Sequence, residues 1–292
     1  MTTALLLDRA NLSKSQGLAT PTPNCRFKIF NWPVQTYKTD MHKVDFQIQL
    51  AESEPPTEEL RERYLPIHEE YFWLNQNGTK RKLRLHDYAE VYRIPYLYEH
   101  LMEKLHCQSY TLLPSLLIEQ FTQVGGKVED MVVLDIGAGS GMVCKTLRVL
   151  GVKSVTGIDI LPEAAIAAER QYPGVYENYY VEDLTDLSKS TLLKLNPRRF
   201  NCLVCCSALS QGHVPADALS IALNAIAPNG WIAFNMPKYI WDNQGAGGLV
   251  QLHPWVAETD VLDILATHYY QHRIYMDGRS LEYVAIIGRK RN

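Results

Sequence analysis

The 292-residue sequence predicts an α/β fold: a doubly wound, seven-stranded, mostly parallel sheet that ends in an antiparallel hairpin and carries an N-terminal cap. Three observations support this prediction. Short apolar runs alternate with helical patterns from about residue 131 onward, which is typical of a parallel sheet covered by helices. A turn with three glycines, Gly137, Gly139 and Gly141, follows the first of these runs. Asp277-Gly278-Arg279-Ser280 separates the last two runs, as a hairpin turn would.

The bounds of the elements follow from where each apolar run begins and stops. The parallel strands are predicted near 131–136, 154–160, 178–183, 200–206 and 230–236, and the helices near 141–150, 162–171, 188–195 and 215–227. Pro162 and Pro215 each stand at the start of a predicted helix, where the missing backbone N–H has little cost. Residues 268–276 and 281–288 are predicted to form the closing antiparallel pair.

The less regular N-terminal region divides the chain into three predicted parts. Residues 1–60 are expected to be a partly flexible extension, residues 61–125 a cap with a hairpin and helices, and residues 126–292 the core. Within the cap, Asn77-Gly78 lies between two short runs and predicts the turn of the hairpin. The pattern over 89–106 predicts a helix.

The composition is that of an ordinary globular protein, with 46% hydrophobic and 21% charged residues. A formal net charge of −3 argues against a general nucleic-acid binder, which usually carries a basic excess. No apolar stretch reaches about 18 residues, so neither a transmembrane helix nor a membrane partner is expected. Asp8 and Arg9 interrupt the apolar start, so we expect no signal peptide and a cytoplasmic location.

Two local patterns have both a functional and a structural interpretation. The basic run 80–84 is interpreted as a solvated strand face rather than a nucleic-acid patch. Cys202-x-x-Cys205 resembles a metal or redox pair, but its predicted strand favours small, buried hydrophobic side chains. The six cysteines fit reduced thiols. No cluster of His, Asp and Glu has the spacing of metal ligands, so no metal is expected.

The glycine turn indicates the kind of ligand. Residues 132–143 read Val-Val-Leu-Asp-Ile-Gly-Ala-Gly-Ser-Gly-Met-Val, which is a strand, a turn and a helix start. Glycines let a ligand approach the backbone, and the free N–H groups of a helix start favour a nucleotide-like ligand. A dinucleotide fingerprint needs glycine where Met142 stands, and no phosphate-binding loop pattern occurs. The remaining pattern is D-x-G-x-G-x-G, beginning at Asp135.

This pattern resembles motif I of the class I S-adenosylmethionine-dependent methyltransferases. Two further acids match the family: Asp159 ends the second strand, where the family binds the ribose, and Asp183 follows the third, where the family often faces the adenine amino group. The fourth strand runs into residues 207–209, where the family lines the reaction site. The resemblance covers about 128 to 290 and implies a Rossmann-like fold with S-adenosylmethionine as cofactor. The implied cofactor-binding residues are Asp135, Gly137, Ala138, Gly139, Gly141, Asp159, Ile160, Asp183, Leu184, Ser207 and Tyr88.

In this family the segment before the core often shapes the substrate pocket. The tyrosines crowded in the cap suit such a pocket, but a helix that packs on the sheet accounts for them at least as well. The region 237–254 after the fifth strand combines glycines with aromatic residues, which suits either a lid or a surface loop. The candidate substrate-binding residues are Tyr92, Tyr96, Lys238, Tyr239 and Trp241.

Methyl transfer from a sulfonium is an in-line displacement that needs mainly alignment and exclusion of water. A base is needed only when the nucleophile keeps its proton at neutral pH. His213, in the loop after the fourth strand, is the first candidate base and His86 the second, although His213 also suits a loop histidine without a role. The run 207–210 lacks the Asn-Pro-Pro-Tyr-type pattern of nucleic-acid amine methylators, so a small-molecule acceptor is expected and nucleic acid is not.

The sequence therefore predicts an enzyme that transfers a methyl group from S-adenosylmethionine to a small molecule and releases S-adenosylhomocysteine. One alternative is a protein that binds the cofactor but runs a non-methyl reaction or uses it structurally. Another is a partner-binding protein with a degenerate pocket. The intact glycine turn and Asp159 disfavour it, because drift would fill the turn with side chains. The acceptor atom and the oligomeric state stay open.

Overall fold

The computed structural model describes residues 44–50, 70–209, 214–242 and 261–291. The strands are β1 (Phe46–Leu50), β2 (Tyr71–Gln76), β3 (Thr79–Arg84), β4 (Val132–Ile136), β5 (Ser154–Asp159), β6 (Asn178–Val181), β7 (Phe200–Cys205), β8 (Ile226–Pro237), β9 (Leu262–Ile274) and β10 (Ser280–Lys290). The helices are α1 (Tyr88–Arg93), α2 (Leu97–Lys104), α3 (Ser109–Gln123), α4 (Met142–Val149), α5 (Pro162–Gln171), α6 (Lys189–Leu195), α7 (Ala216–Asn224) and α8 (Lys238–Trp241). Within the described ranges, no helix is long and apolar enough to cross a membrane.

Seven strands form one sheet in the order β6-β5-β4-β7-β8-β10-β9. The strands from β4 to β8 pair in parallel, whereas β10 is antiparallel to both β8 and β9. The predicted fold class is therefore confirmed. Because β4 lies between β5 and β7, the chain reverses direction across the sheet at this strand. A crevice opens outside the carboxyl ends of strands at such a point.

Both faces of this sheet are covered, because the side chains of its strands alternate between two apolar clusters. On one face Leu134 packs in a cluster with Leu219 of α7. On the other face Cys202 packs in a cluster with Leu117 of α3. Cys205 belongs to the first cluster, so the two cysteines of the Cys-x-x-Cys pattern lie on opposite faces, 1% and 0% exposed. Their interpretation as buried hydrophobic side chains is confirmed.

The cap contains a separate antiparallel sheet, β1-β2-β3, and the helices α1 and α2. Asn77 and Gly78 join β2 to β3, and both have positive φ angles (52° and 73°), as an Asn-Gly hairpin turn requires. The single helix predicted over 89–106 is wrong, because the structure has two helices there. Pro95 explains the break: the residue before a proline avoids helical geometry, and Ile94 is extended at φ −92° and ψ 121°.

The cap is fixed to the C-terminal hairpin by buried polar contacts. Arg273 of β9 donates to the Glu70 carboxylate from two guanidinium nitrogens, at 3.1 and 2.5 Å, and the two residues are only 3% and 8% exposed. The backbone N–H of Gln108 donates to the carbonyl of His272 at 2.9 Å. These contacts bring the end of β9 against the cap, on the same side of the sheet as the crevice.

Candidate functional site

A cleft of about 690 Å³ lies at the carboxyl ends of the central strands, a volume typical of ligand sites. Its walls come from both the core and the cap. The core contributes, among others, Gly137, Ile158, Asp159, Ile160, Asp183, Leu184 and Ser207, and the cap contributes His86, Tyr88, Tyr92 and Tyr98. The predicted cofactor residues at four separate strand ends, those of β4, β5, β6 and β7, therefore face one space.

The glycine turn has a backbone that only glycine adopts without strain. Gly137 and Gly139 have φ angles of +63° and +54°, in the left-handed region. A Cβ on Gly137 would lie 2.6 Å from the Cβ of Ala208, and a Cβ on Gly139 would lie 2.8 Å from the Tyr92 hydroxyl. The turn is thus closely packed, and it faces the cleft at Gly137, which fits a ligand bound against main-chain atoms.

Asp159 ends β5 beside this turn. Its carboxylate accepts hydrogen bonds from the backbone N–H of Gly139 and of Leu161, each at 2.9 Å. Burial raises the pKa of Asp159, and these N–H donors oppose the rise. A carboxylate oxygen has two lone pairs, so each oxygen keeps one for a further donor. A half-buried acid held in this way can accept hydrogen bonds from ribose hydroxyls.

Asp183 lies farther along the same cleft, after β6. Its Oδ1 accepts from the backbone N–H and the hydroxyl of Thr185, at 2.8 and 2.7 Å, and these bonds lower its pKa. The carboxylate is therefore held ionised at the start of a short 3₁₀ helix, with Oδ2 available. Ile160 is 62% exposed and Leu184 is buried, so the cleft between the two acids has an apolar component.

Asp135 lies behind the glycine turn and lines neither the cleft nor the cavity described below. It is 1% exposed, and its carboxylate accepts a hydrogen bond from the Tyr176 hydroxyl at 2.8 Å. Burial raises the pKa of Asp135 to about 7, while the Tyr176 hydrogen bond opposes that rise. Tyr176 also packs against the turn, since a Cβ on Gly141 would lie 3.3 Å from its ring. In this geometry Asp135 and Gly141 support the turn from behind.

Ser207, after β7, has a φ of 56°, which is unusual for a residue with a side chain. Its backbone N–H donates to Oδ1 of the fully buried Asn235 on β8, at 2.5 Å. This hydrogen bond stabilises the strained conformation, and the sharp turn brings Ala208 against Gly137. The loop after β7 therefore packs against the glycine turn and forms part of the lining of the cleft.

Three tyrosines of the cap form a wall over the turn, called here the tyrosine wall: Tyr88, Tyr92 and Tyr98. The Tyr88 and Tyr92 rings are stacked at 5.9 Å, and Tyr98 packs edge-on at 6.1 Å from Tyr88 and 5.1 Å from Tyr92. His86 packs edge-on against Tyr88 at 5.6 Å. Burial raises the pKa of all three tyrosines, so they are neutral phenols at neutral pH.

Behind the tyrosine wall lies a narrower space of about 80 Å³, called here the inner cavity. It shares His86, the tyrosine wall, Gly137, Cys206 and Ser207 with the cleft, so the two spaces adjoin along these residues. Its own walls add residues of the turn, of the α2–α3 region and of β9 and β10. They include Ala138, Gly139, Ser140, Met102, Cys107, Ser109, Tyr110, His272, Arg273 and Tyr283.

The cap is locked to the turn by a buried acid. Glu99 of α2 is 2% exposed and accepts hydrogen bonds from the Ser140 hydroxyl at 2.5 Å and the Gln171 side-chain amide at 2.6 Å. Burial raises the pKa of Glu99, and both hydrogen bonds oppose the rise. Arg170, the neighbour of Gln171, donates to the Tyr92 carbonyl at 2.7 Å. The tyrosine wall is thus anchored at α2 and at the end of α1.

The structure brings together some of the residues predicted for substrate and catalysis, and separates others. Tyr92 and His86 line both spaces, whereas Tyr96 lines neither and directly precedes α2 with a φ of 61°. Lys238, Tyr239 and Trp241 also line neither space: Lys238 pairs with Asp242, and Trp241 packs near Phe234 in the core. His213 lies outside the described residues.

Several residues at the site had no signal in the sequence. Ser109, Cys107 and His272 reach the inner cavity from α3, the preceding loop and β9, far apart in the chain. Glu99 and Tyr176 act through hydrogen bonds to residues distant in the chain. Tyr98 belongs to the crowded tyrosines of the cap, and its ring contacts with Tyr88 and Tyr92 distinguish it only in the fold. Among the described residues, no group of His, Cys, Asp and Glu is placed to hold a metal ion.

Comparisons with known proteins agree with this geometry. A family model described as a methyltransferase domain matches residues 108–284, which is more than half of the chain. A ubiquinone biosynthesis O-methyltransferase of Burkholderia multivorans is 25% identical over 126 residues, covering 41% of this chain and 53% of that protein. The match thus spans about half the length of this curated relative.

Solved structures of similar proteins include an S-adenosylmethionine-dependent methyltransferase from Clostridium acetobutylicum, with a TM-score of 0.46, 14% identity, and coverage of 67% of this chain and 98% of that one. Magnesium protoporphyrin IX methyltransferase from Synechocystis, with bound S-adenosylmethionine, has a TM-score of 0.43, 14% identity, and coverage of 62% and 79%. The family match contains the glycine turn and both acids of the cleft. The chain belongs to the methyltransferase domain family, and its sheet has the strand arrangement predicted for the Rossmann-like methyltransferase fold.

Proposed function

We propose that this enzyme transfers the methyl group of S-adenosylmethionine to a small-molecule acceptor held beneath the cap, and releases S-adenosylhomocysteine. The observation that carries the proposal is the tyrosine wall. It covers the glycine turn so closely that a Cβ on Gly139 would lie 2.8 Å from Tyr92, and it leaves an inner cavity of about 80 Å³ behind it. A space this narrow suits one small molecule, or one end of it, better than a polymer.

In this proposal the cofactor lies in the cleft, and the two acids set its orientation. Asp159 would bind the ribose hydroxyls, and Asp183, with Ile160 and Leu184 beside it, would bind the adenine. Gly137, Ala138, Gly139 and Ser207 would meet the part nearest the sulfur, with Tyr88 above it. When bound, S-adenosylmethionine supplies a methyl group on a positively charged sulfur, which is a good leaving group.

The residues of the chain have three proposed roles in this reaction. The glycine turn and Asp159 orient the donor, so that the reaction gains from alignment. The tyrosine wall excludes water and offers ring faces, which favour nearby positive charge. His86 is the proposed base for an acceptor that keeps its proton at neutral pH, because it lines both the cleft and the inner cavity. His213 stays a prediction from the sequence.

The test is the formation of S-adenosylhomocysteine with a panel of small phenols, carboxylic acids, thiols and amines. The wild type is compared with Asp159→Asn, which should weaken cofactor binding, and with Asp186→Asn, an exposed acid outside the cleft that should behave as wild type. Methylation of at least one acceptor, lost in the first variant and kept in the second, supports the proposal. Tight cofactor binding without product from any acceptor class would favour the alternative of a non-methyl reaction or a structural cofactor.

A further inference from the structure

The two peptide groups that flank Gly139 are held by side chains from two neighbouring strands. On its N-terminal side, the Gly139 N–H donates to Oδ2 of Asp159, the last residue of β5, at 2.9 Å. On its C-terminal side, the Gly139 carbonyl accepts a hydrogen bond from the Tyr179 hydroxyl of β6, at 2.8 Å. Because glycine has no Cβ to restrict its backbone, these two bonds set the orientation of both peptide groups.

The Gly139 carbonyl depends on Tyr179 for its hydrogen bond. Gly139 is buried, and among the described residues no other donor reaches its carbonyl oxygen. Burying a carbonyl without a donor is unfavourable. The turn is therefore most stable in the conformation in which the Tyr179 hydroxyl reaches this oxygen.

Tyr179 is itself fixed by packing on several sides. Its ring packs against the apolar cluster that Tyr92 forms with Ala164 and Ala167 of α5. It also packs edge-on against Tyr176, with 5.1 Å between the ring centroids. Burial raises the pKa of Tyr179, so its hydroxyl keeps its proton at neutral pH and can donate it. The donor to the Gly139 carbonyl is thus held in one place.

The neighbouring Tyr176 supports a different part of the turn. Its hydroxyl lies 2.8 Å from the Asp135 carboxylate and 3.3 Å from the Ala138 carbonyl, both of which precede Gly139 in the chain. Tyr179 instead holds the peptide group that follows Gly139. Neither tyrosine lines the cleft or the inner cavity, so Tyr179 acts on a ligand through the turn and not by contact.

The orientation of the Asp159 carboxylate depends on two N–H groups. The N–H of Leu161 holds Oδ1 and the N–H of Gly139 holds Oδ2, each at 2.9 Å. The first donor belongs to the chain directly after Asp159, and the second belongs to the glycine turn. A rotation of the Gly139 backbone would withdraw the second donor and let the carboxylate turn about its Cβ–Cγ bond. The Tyr179 hydroxyl opposes this rotation, because it holds the adjoining peptide group.

We propose that Tyr179 is a positioning residue for ribose recognition: it holds the backbone at Gly139 so that Asp159 presents both carboxylate oxygens to the two ribose hydroxyls. The inference rests on the proposed function, because it concerns how the same site binds its cofactor. It follows that the Tyr179 hydroxyl contributes affinity only for ligands that carry these ribose hydroxyls. A merely structural tyrosine would instead affect every ligand of the cleft equally.

The first experiment compares two ligands by calorimetric titration: S-adenosylhomocysteine and its 2′,3′-dideoxyribose analogue, which lacks both hydroxyls. Tyr179→Phe keeps the packed ring and removes the hydroxyl. It should weaken the binding of S-adenosylhomocysteine by about three- to tenfold, as expected for one lost hydrogen bond, and leave the affinity for the analogue unchanged. Equal weakening of both ligands, or of neither, overturns the inference. Equal wild-type affinity for the two ligands also overturns it, while cofactor binding and the proposed function stand.

Two further variants show whether the effect passes through Asp159. Tyr180→Phe is the matched control, because Tyr180 is the next residue of β6 and packs in the cluster of Leu134, with Lys194 over its ring. It should bind both ligands as the wild type does. In an Asp159→Ala background, Tyr179→Phe should cause no further loss of affinity for S-adenosylhomocysteine, since the side chain that it positions is gone. Losses that simply add in this double variant would contradict the proposal.

A third measurement needs no ligand. Burial raises the pKa of Asp159, and the Gly139 N–H is one of the donors that oppose this rise. Carboxyl ¹³C spectra of aspartate-labelled protein, with Asp159→Asn for assignment, follow this pKa in the free protein. Tyr179→Phe should raise it further and Tyr180→Phe should not, whereas an equal pKa in all three proteins overturns the inference. If the wild type binds neither ligand, the proposed function fails, and this titration still decides whether Tyr179 positions Asp159.

Discussion

The backbone N–H of Gly139 donates a hydrogen bond of 2.9 Å to the carboxylate of Asp159, which joins the glycine turn to the end of β5. The acid proposed to bind the ribose therefore also fixes the main chain that faces the same ligand. Cofactor binding and the shape of the turn are coupled through this residue, so a change at Asp159 acts on both.

Asp159→Ala should weaken S-adenosylmethionine binding by about 1.5–3 kcal/mol, on the order of ten- to a hundred-fold, because charge-assisted hydrogen bonds are lost. Calorimetric titration of the cofactor measures this change. Asp186→Asn is the control, since this exposed acid lies outside the cleft, and its affinity should equal that of the wild type. Wild-type affinity in Asp159→Ala would remove Asp159 from the cofactor site.

Gly139→Ala should lower the stability of the fold by more than backbone strain alone would. Its Cβ would also clash with the Tyr92 hydroxyl, at 2.8 Å. Gly174→Ala is the matched control: Gly174 has a φ of +68° with nothing within 4 Å of a new Cβ, so it reports the strain of about 1–2 kcal/mol without a clash. Thermal unfolding of both variants measures the difference between their losses of stability. Tyr92→Phe in the Gly139→Ala background should recover part of the loss, and no recovery would contradict the clash.

Asp135→Asn should make the stability less dependent on pH. The pKa of Asp135 is raised to about 7 in the fold, against about 3.9 for an unfolded aspartate. The protonated acid therefore contributes stability below about pH 4, and this contribution is lost as the pH rises from 4 to 7. Denaturant unfolding at pH 5 and pH 8 measures how far the free energy of unfolding falls as the pH rises. This fall should be smaller in the variant than in the wild type, by on the order of a few kcal/mol. An equal drop in both proteins would show that Asp135 does not titrate in this range.

Glu99→Ala should loosen the cap, since it leaves the Ser140 hydroxyl and the Gln171 amide without their buried acceptor. Each unsatisfied group costs about 1–3 kcal/mol. Glu99→Gln is the control, because its amide can accept from Gln171 and donate to the Ser140 hydroxyl, and it should stay close to wild type. Hydrogen exchange of α1 and α2 should rise in the alanine variant alone. Equal protection in all three proteins would show that Glu99 does not hold the cap.

The parts of the molecule that the sequence predicted well are those set by local rules. The apolar runs gave the strand order along the chain, and Asn77-Gly78 gave the hairpin turn, because both depend on neighbouring residues. The helix over 89–106 was wrong where a local rule was overlooked, since Pro95 excludes a continuous helix.

The candidate site was predictable only in the part that one motif specifies. Glycine and acid spacing indicated the cleft, because the carboxyl ends of parallel strands meet at one edge. The inner cavity could not be predicted in the same way. Ser109 and His272 line it from α3 and β9, and Asn235 of β8 contacts Ser109 beside it. No spacing in the chain marks residues that meet only when three elements pack.

The buried contact of Glu99 with Ser140 has a consequence for how such an enzyme can acquire new acceptors. The residues that would face the acceptor come from both the cap and the core, and buried hydrogen bonds join the cap to the glycine turn. Exchanging this region for that of another methyltransferase would break contacts on both sides. Diversification of acceptor choice in this lineage is therefore expected to proceed by point changes within the tyrosine wall and the inner cavity, and not by recombination of whole segments.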